Sequence, residues 1–415
     1  MISVHDLPFL TADIPGVGGR IKQRPEDFIV EELPLYPASG EGTHTYFVIE
    51  KVGLSTMQAV QQIARALGRA HHDIGYAGLK DADAVTRQML SVEHVDPSRV
   101  AGLEVPRIRV LSVTRHGNKI KLGHLSGNRF RIRIRDVDPR LVGQVQSMLD
   151  VLVRRGVPNY FGPQRFGSRG DTGLIGRAML RGDHDEALQL MLGRPGPHDY
   201  GQVRRARELF EVGDYEAAAK AWPYPFNNER RMVYNWQKYK GNAERTFRAV
   251  DKQMRRFFVS AYQSMLFNTV VAQRLERMDQ MLIGDLAWRH QNGAVFRVED
   301  AVIEQPRCDA FEISPSGPLF GHRMTWPEGE PGDMEKALIE AEGTDPNEWR
   351  ESANHKVRGG RRAMRFQPKE VEVATGSDDA GPFIELAFIL EPGCYATTVL
   401  REISKEDSSA EPAIK

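Results

Sequence analysis

At 415 residues, with 40% hydrophobic and 27% charged positions, the chain has the composition of a globular protein and the length of two domains or more. No apolar run approaches the roughly 20 residues of a membrane span, the opening MISVHDLPFLTADIPG lacks the basic start and apolar stretch of a secretory signal, and Cys308 and Cys394 alone cannot build a cysteine zinc cluster. A cytoplasmic protein is expected, and because 56 basic residues balance 56 acidic ones, a nucleic-acid surface would require segregating the basic residues onto one face.

From the N-terminus, Gly16, Gly18 and Gly19 do not form a dinucleotide fingerprint, because no strand precedes them and no phosphate-loop helix follows. Lys22 and the Pro25-Glu26-Asp27-Phe28 turn lead into strand patterns at Phe28–Val30 and Tyr46–Ile49. Ser55 with Gln58 makes a capping-box pattern that predicts a helix to about Leu67. Its apolar face, Met57, Val60, Ile63, Ala64 and Leu67, would cover the sheet. His71 and His72 are adjacent and point to different sides of the chain, so they read as loop or helix-end residues rather than a shared metal site.

Next comes Ile74–Val92, IGYAGLKDADAVTRQMLSV, in which two short apolar runs flank a polar knot. The runs have strand character and the knot turn character. A strand–loop–strand of this kind holds a side chain at the rim of a sheet. Asp81 would carry the chemistry, with Lys80 and Arg87 nearby to keep it ionised. A plain hairpin turn with a solvated Lys-Asp pair is the alternative, and spacing alone does not separate the two.

Beyond the knot, Ile108–Leu111 and Lys119–Leu122 around His116-Gly117-Asn118 predict a hairpin. In Arg129–Arg135, Phe130, Ile132 and Ile134 alternate with four arginines, giving one core face and one strongly basic face. Asp138 as N-cap and Pro139 then open a helix that Gly156 stops. After Gly156 the pattern turns helical: Asp185–Leu192, Val203–Phe210, Tyr215–Trp222, and a stretch from Glu244 to Met278 too long to be one ordinary helix. In it, Phe257, Phe258, Ala261, Met265 and Leu266 read as a core stripe. Strand patterns return at Val371–Val373 and Ile384–Ile389, and the tail SKEDSSAEPAIK reads as disordered. Basic residues cluster at Arg129–Arg135, Arg154–Arg181, Arg255–Arg256 and Lys356–Lys369, while Glu328–Glu351 is largely acidic. This suits either an RNA-binding face or solvated helix faces.

The run Gly78-Leu79-Lys80-Asp81 followed by Ala84, Thr86 and Gln88 resembles the G-x-K-D-x-x-A-x-T-x-Q signature of the TruD family of tRNA pseudouridine synthases. Ile21–Glu31 (IKQRPEDFIVE), Gly127-Asn128-Arg129-Phe130, Gly156–Gly167 (GVPNYFGPQRFG) and Glu391–Ile403 (EPGCYATTVLREI) match the same family in the same order. Ala82 and Asp83 depart from it, since members often carry a basic residue and a histidine there.

The resemblance implies an α+β fold: a pseudouridine synthase-type mixed, largely antiparallel sheet domain interrupted by a mainly helical, family-specific domain. The expected division is 1–156 and 358–405 for the catalytic domain, 157–357 for the insertion and 406–415 for the tail. It implies isomerisation of uridine to pseudouridine in tRNA, at uridine 13, by a monomer needing no cofactor and no metal. Asp81 resembles the family's catalytic aspartate, Lys22 is the motif cation suited to pair with it, Phe130 stands where related families stack a tyrosine on the base, and Asn128 could hydrogen-bond near the loop or the RNA. Tyr160, Phe161 and Arg165 would line a hinge, and Leu400 would pack under the site. RNA contacts are expected from Arg87 and from a cleft with Arg165 and Arg169 on one lip and Arg358, Arg361 and Arg362 on the other. Two other classes remain open: an RNA-binding module without catalysis, against which intact Lys22 and Asp81 argue, and a hydrolase using Asp81 with Asp83, which would need both carboxylates to converge on one substrate.

Overall fold

The computed structural model describes residues 2–347, 349 and 357–406. Lys356, Glu351 and the tail beyond Glu406 lie outside the described residues. Contacts divide the chain into two compact units, one of Thr11–Val157 with the chain from Phe366 onward, the other of the residues up to Leu10 with Pro158–Arg365. Two boundaries differ from those expected. Leu7 shares a buried cluster with Tyr160, Phe161 and Phe166, which ties the first ten residues to the second unit. Gly360–Ala363 pairs antiparallel with Ile313–Leu319, so the chain returns to the first unit at Phe366 rather than at 358.

The first unit is built on an eight-stranded mixed sheet. Its strands are β1 (Phe28–Pro34), β2 (His44–Val52), β3 (Gly75–Tyr76), β4 (Val85–Glu93), β5 (Ile108–His116), β6 (Leu125–Arg135), β7 (Lys369–Asp378) and β8 (Gly381–Leu390). They run in the order β7-β8-β6-β1-β4-β2-β5, with β3 added to β4. Only the β1–β4 pair is parallel. The helix Thr56–Leu67 begins on Ser55, whose hydroxyl accepts from Gln58 N–H in a capping box, and ends at Gly68 in the left-handed region (φ 68°), where glycine avoids the Cβ clash. Ala59, Val60, Ile63, Ala64 and Leu67 from this helix bury themselves against Phe47, Ile49, Leu90 and Val92 of the sheet.

The expected hairpin at 108–122 does not form. Ile108–His116 pairs instead with β2, and residues 117–124 carry no strand. The alternation along β6 is as read, with Phe130, Ile132 and Ile134 buried against Phe388, Leu386 and Ile384 of β8. The arginine face, however, is not an open basic surface. Arg129 pairs with Glu370, Arg131 and Arg133 with Glu385, and Arg135 with Asp27 and Asp378. Arg135 holds the Asp378 carboxyl well below the usual carboxylate range. Acids from neighbouring strands and from the 25–28 turn neutralise the ladder because cross-strand partners sit within side-chain reach.

The second unit is mainly helical. The long expected helix is two, Ala243–Arg248 and Lys252–Gln273, divided where Asp251 caps the second by accepting from Gln253 and Met254 N–H. Phe258 is buried as expected, but Phe257 of the same stripe is 39% exposed, with the Arg165 guanidinium over its ring. The unit also holds a four-stranded sheet, Gly360–Ala363, Ile313–Leu319, Leu286–Arg289 and Val295–Arg297 in spatial order, which the sequence reading did not anticipate.

Candidate active site

β3 ends at Tyr76 opposite Leu90, whereas β4 begins at Val85 beside Ile29 of β1 and Val52 of β2. Residues 77–84 must therefore travel back along β4 without regular pairing, so side chains and caps have to hold them in place. The Ala77 carbonyl accepts from Gly123 N–H at 2.8 Å. Lys80 N–H donates to Thr56 Oγ1 at 2.8 Å, and that hydroxyl donates to Gln88 Oε1 at 2.9 Å. The Lys80 ammonium lies 2.7 Å from Glu32, with side chains only 6% and 1% exposed. The Asp81 carbonyl accepts from Lys51 Nζ at 2.9 Å.

On this tethered loop the Asp81 carboxylate stays accessible, with 47% of the side chain exposed. Its Oδ2 accepts from Lys22 Nζ at 3.1 Å. Lys22 adopts positive φ (55°), uncommon for a residue with a Cβ, and its ammonium also lies 4.6 Å from the centre of the Phe28 ring. The cation beside Asp81 is thus Lys22. Lys80 and Arg87, expected from spacing to keep Asp81 ionised, are committed elsewhere, Lys80 to Glu32 and Arg87 to Glu50 at 2.9 Å. Arg109 also pairs with Glu50 at 2.8 Å, so the Arg87 charge is shared within a surface network.

Cross-strand register gathers the remaining candidates. Phe130 sits opposite Val30, and Asn128 opposite Glu32. Phe130 is 8% exposed, set edge-on to Phe28 at 6.2 Å and tilted against Phe388 at 5.6 Å. Asn128 Oδ1, Thr86 Oγ1 and Gln88 Nε2 are buried with no hydrogen-bond partner among the described residues. Leu400 is buried on the helix Ala396–Ser404, which packs against the helix Val142–Arg155. Among the described residues no group of three or more His, Cys, Asp or Glu side chains could hold a metal ion.

Lys51, Glu32 and Thr56 were missed by sequence reasoning. A signal existed for the first two. Phe47, Ile49 and Lys51 occupy alternate positions of one strand, as do Phe28, Val30 and Glu32, so a charge falls where each core-facing series should continue.

The arginines expected on two lips all belong to the second unit. Arg361 corrects the expectation of a phosphate contact, since its guanidinium is 4% exposed and doubly bonded to the buried Glu335 carboxylate, both at 2.8 Å. Arg169 is likewise turned inward, 16% exposed and paired with Asp171 and Asp199. Arg362 stacks over Phe161 at 4.5 Å and donates to Asn159 Oδ1 at 2.5 Å. Arg165 lies over Phe161 and Phe257 and donates to Ser260 and Ser264, while Arg358 is exposed.

Fold and site together define an α+β protein that uses a mixed sheet to present one carboxylate, beside one lysine, on a loop pinned from below. The family model described as tRNA pseudouridine synthase D (TruD) matches residues 5–403. The chain is 45% identical over 401 residues to the tRNA pseudouridine synthase D of Geobacter sulfurreducens, covering 97% of both chains. It is 46% identical over 397 residues to that of Geobacter metallireducens, covering 96% of this chain and 97% of the relative. The crystal structure of a candidate tRNA pseudouridine synthase D from Methanosarcina mazei is similar with a TM-score of 0.86 at 27% identity, over 98% of this chain and 97% of that one. The chain belongs to the TruD family of tRNA pseudouridine synthases.

Proposed function

We propose that this chain isomerises uridine to pseudouridine in transfer RNA, at position 13, with Asp81 as nucleophile and without a cofactor. The observation that carries this reading is the accessible Asp81 carboxylate held 3.1 Å from Lys22 on a loop whose main chain is fixed by buried groups. The N1–C1′ bond of uridine breaks, the base rotates, and a C5–C1′ bond forms. The C5 hydrogen leaves as a proton and N1 gains one, so substrate and product are isomers and no redox partner enters the balance. Asp81 adds to the base or the sugar and is expelled again, with the Lys22 ammonium 3.1 Å away as its charge partner.

The target base has to leave its stack to meet the loop. Phe130 offers the π-face for it, and Asn128 the hydrogen bond. The sheet unit is the catalytic domain and the helical unit binds RNA, with Arg87, Arg165, Arg358 and Arg362 as the backbone contacts. Phe130→Leu is expected to slow turnover by about the 1–3 kcal/mol of a base–aromatic stack, at a saturating tRNA concentration and in protein that still melts cooperatively. A full rate in a destabilised variant would make Phe130 a core residue only.

Mapping pseudouridine in tRNA from cells with and without this gene tests the reading as a whole. A signal at position 13 that disappears with the gene, and returns when the purified protein is added, is expected. Unchanged maps would overturn the assignment, and a change at another position would overturn the choice of site.

A further inference from the structure

Lys51 stands on β2 in the buried series after Phe47 and Ile49, and none of its surface reaches solvent. Burying an ammonium is costly unless something inside the fold requires its protons. Its hydrogen-bond partners are two carbonyl oxygens rather than carboxylates, the Leu54 carbonyl before the helix Thr56–Leu67 and, at 2.9 Å, the carbonyl of Asp81 itself. Burial pushes the amine down to about 8, with the nearby Asp81 charge opposing that shift and the Lys80 charge adding to it. A lysine whose folded value lies below its unfolded one subtracts from stability below that folded value. At neutral pH the lysine charge therefore works against folding, and the compensation lies in what the ammonium holds, the Leu54 and Asp81 carbonyls.

The neighbouring contacts show what is held. Lys80, one residue before Asp81, is anchored by its amide on Thr56 and by its ammonium on Glu32. After Asp81 the chain is fixed by Ala84, which accepts from Gly53 N–H at 3.3 Å. Among the described residues, Lys51 is the one side chain between those anchors that grips the Asp81 main chain, and the direction in which the carboxylate leaves the loop follows from the orientation of that peptide. We propose that Lys51 is a positioning residue for the nucleophile, clamping the Asp81 peptide to the start of the helix Thr56–Leu67 so that the carboxylate meets Lys22 and the reacting base in one orientation. This rests on the reading of Asp81 as nucleophile.

Three variants of the full chain separate the possibilities: Lys51→Met, Lys51→Arg and Asp81→Asn, each tested with tRNA transcript. Lys51→Met is expected to lower kcat by about 10- to 100-fold, the scale of an ångström-sized misplacement, with KM within about twofold of the parent because binding is untouched. Amide exchange at residues 79–84 should rise in this variant while the rest of the sheet stays protected. Lys51→Arg keeps donors for both carbonyls and should retain more of the rate than Lys51→Met. A folded Lys51→Met with kcat close to the parent, a loss confined to KM, or an arginine variant no better than the methionine one would overturn the positioning role. Failure of both substitutions to fold would overturn it too, by making Lys51 a folding residue. An active Asp81→Asn would instead remove the underlying reading, whereas an inactive Asp81→Asn beside a fully active Lys51→Met would remove only the clamp.

Discussion

Asp81→Asn is expected to bind tRNA as well as the parent and to form product at least about a thousandfold more slowly, as removal of a nucleophile does. The amide has the size of the carboxylate, so the loop keeps its shape. The Lys51 bond is to the Asp81 main chain and does not depend on the side chain. With Asp81 47% exposed, losing its pairing with Lys22 costs no more than the roughly 0–1 kcal/mol of a surface ion pair. Binding and chemistry should therefore separate cleanly. Fluorescence anisotropy of labelled tRNA measures the first, and pseudouridine formed in a single turnover measures the second. Turnover within tenfold of the parent would show that another group attacks.

Arg361→Gln should act on the fold and hardly at all on RNA. The Arg361 guanidinium fits the Glu335 carboxylate with two bonds of 2.8 Å and also reaches Ser316, in surroundings where the two side chains are 4% and 1% exposed. Removing the cation strands a buried carboxylate, which typically costs about 3–5 kcal/mol. The deficit should depend on pH. Burial already raises Glu335 above the ordinary carboxylate range, and Arg361 is the main group opposing that rise. Without Arg361 the folded value climbs further above the unfolded one, so folding favours the protonated form. The loss is then largest at neutral pH and shrinks as pH falls toward the unfolded value near 4.3. Urea midpoints at pH 7 and pH 5 measure this, and adding Glu335→Gln should restore much of the stability. A variant of unchanged stability whose tRNA affinity shows a flatter salt dependence would return Arg361 to the RNA surface.

The sequence carried some of this plainly and hid the rest for identifiable reasons. The motif pair Lys22 and Asp81, 59 positions apart, was legible through resemblance and is joined at 3.1 Å. The alternation of β6 was legible because period two needs no partner to be seen. Its ion pairs were not, since Arg135 finds Asp378 across 243 positions and no local pattern encodes that. The break before Lys252 could be read from Asp251 as a cap. Ile313–Leu319, ISPSGPL, was invisible as a strand because two prolines and a glycine argue against one, yet it pairs on both edges. At the site, spacing suggested Lys80 and Arg87 as partners of Asp81, and both had nearer acids on adjacent strands, Glu32 and Glu50. Proximity in sequence misleads where a loop lies over a sheet, because the sheet supplies the closer partners.

The most direct measurement is the release of the C5 hydrogen. Transcripts carrying tritium at C5 of uridine, incubated with the purified protein, should lose label from one site per tRNA to solvent, at a rate matching pseudouridine formation and with the chain otherwise unchanged in mass. Asp81→Asn should release none on the same timescale. Absence of release, release accompanied by loss of the base, or equal release by Asp81→Asn would contradict the account.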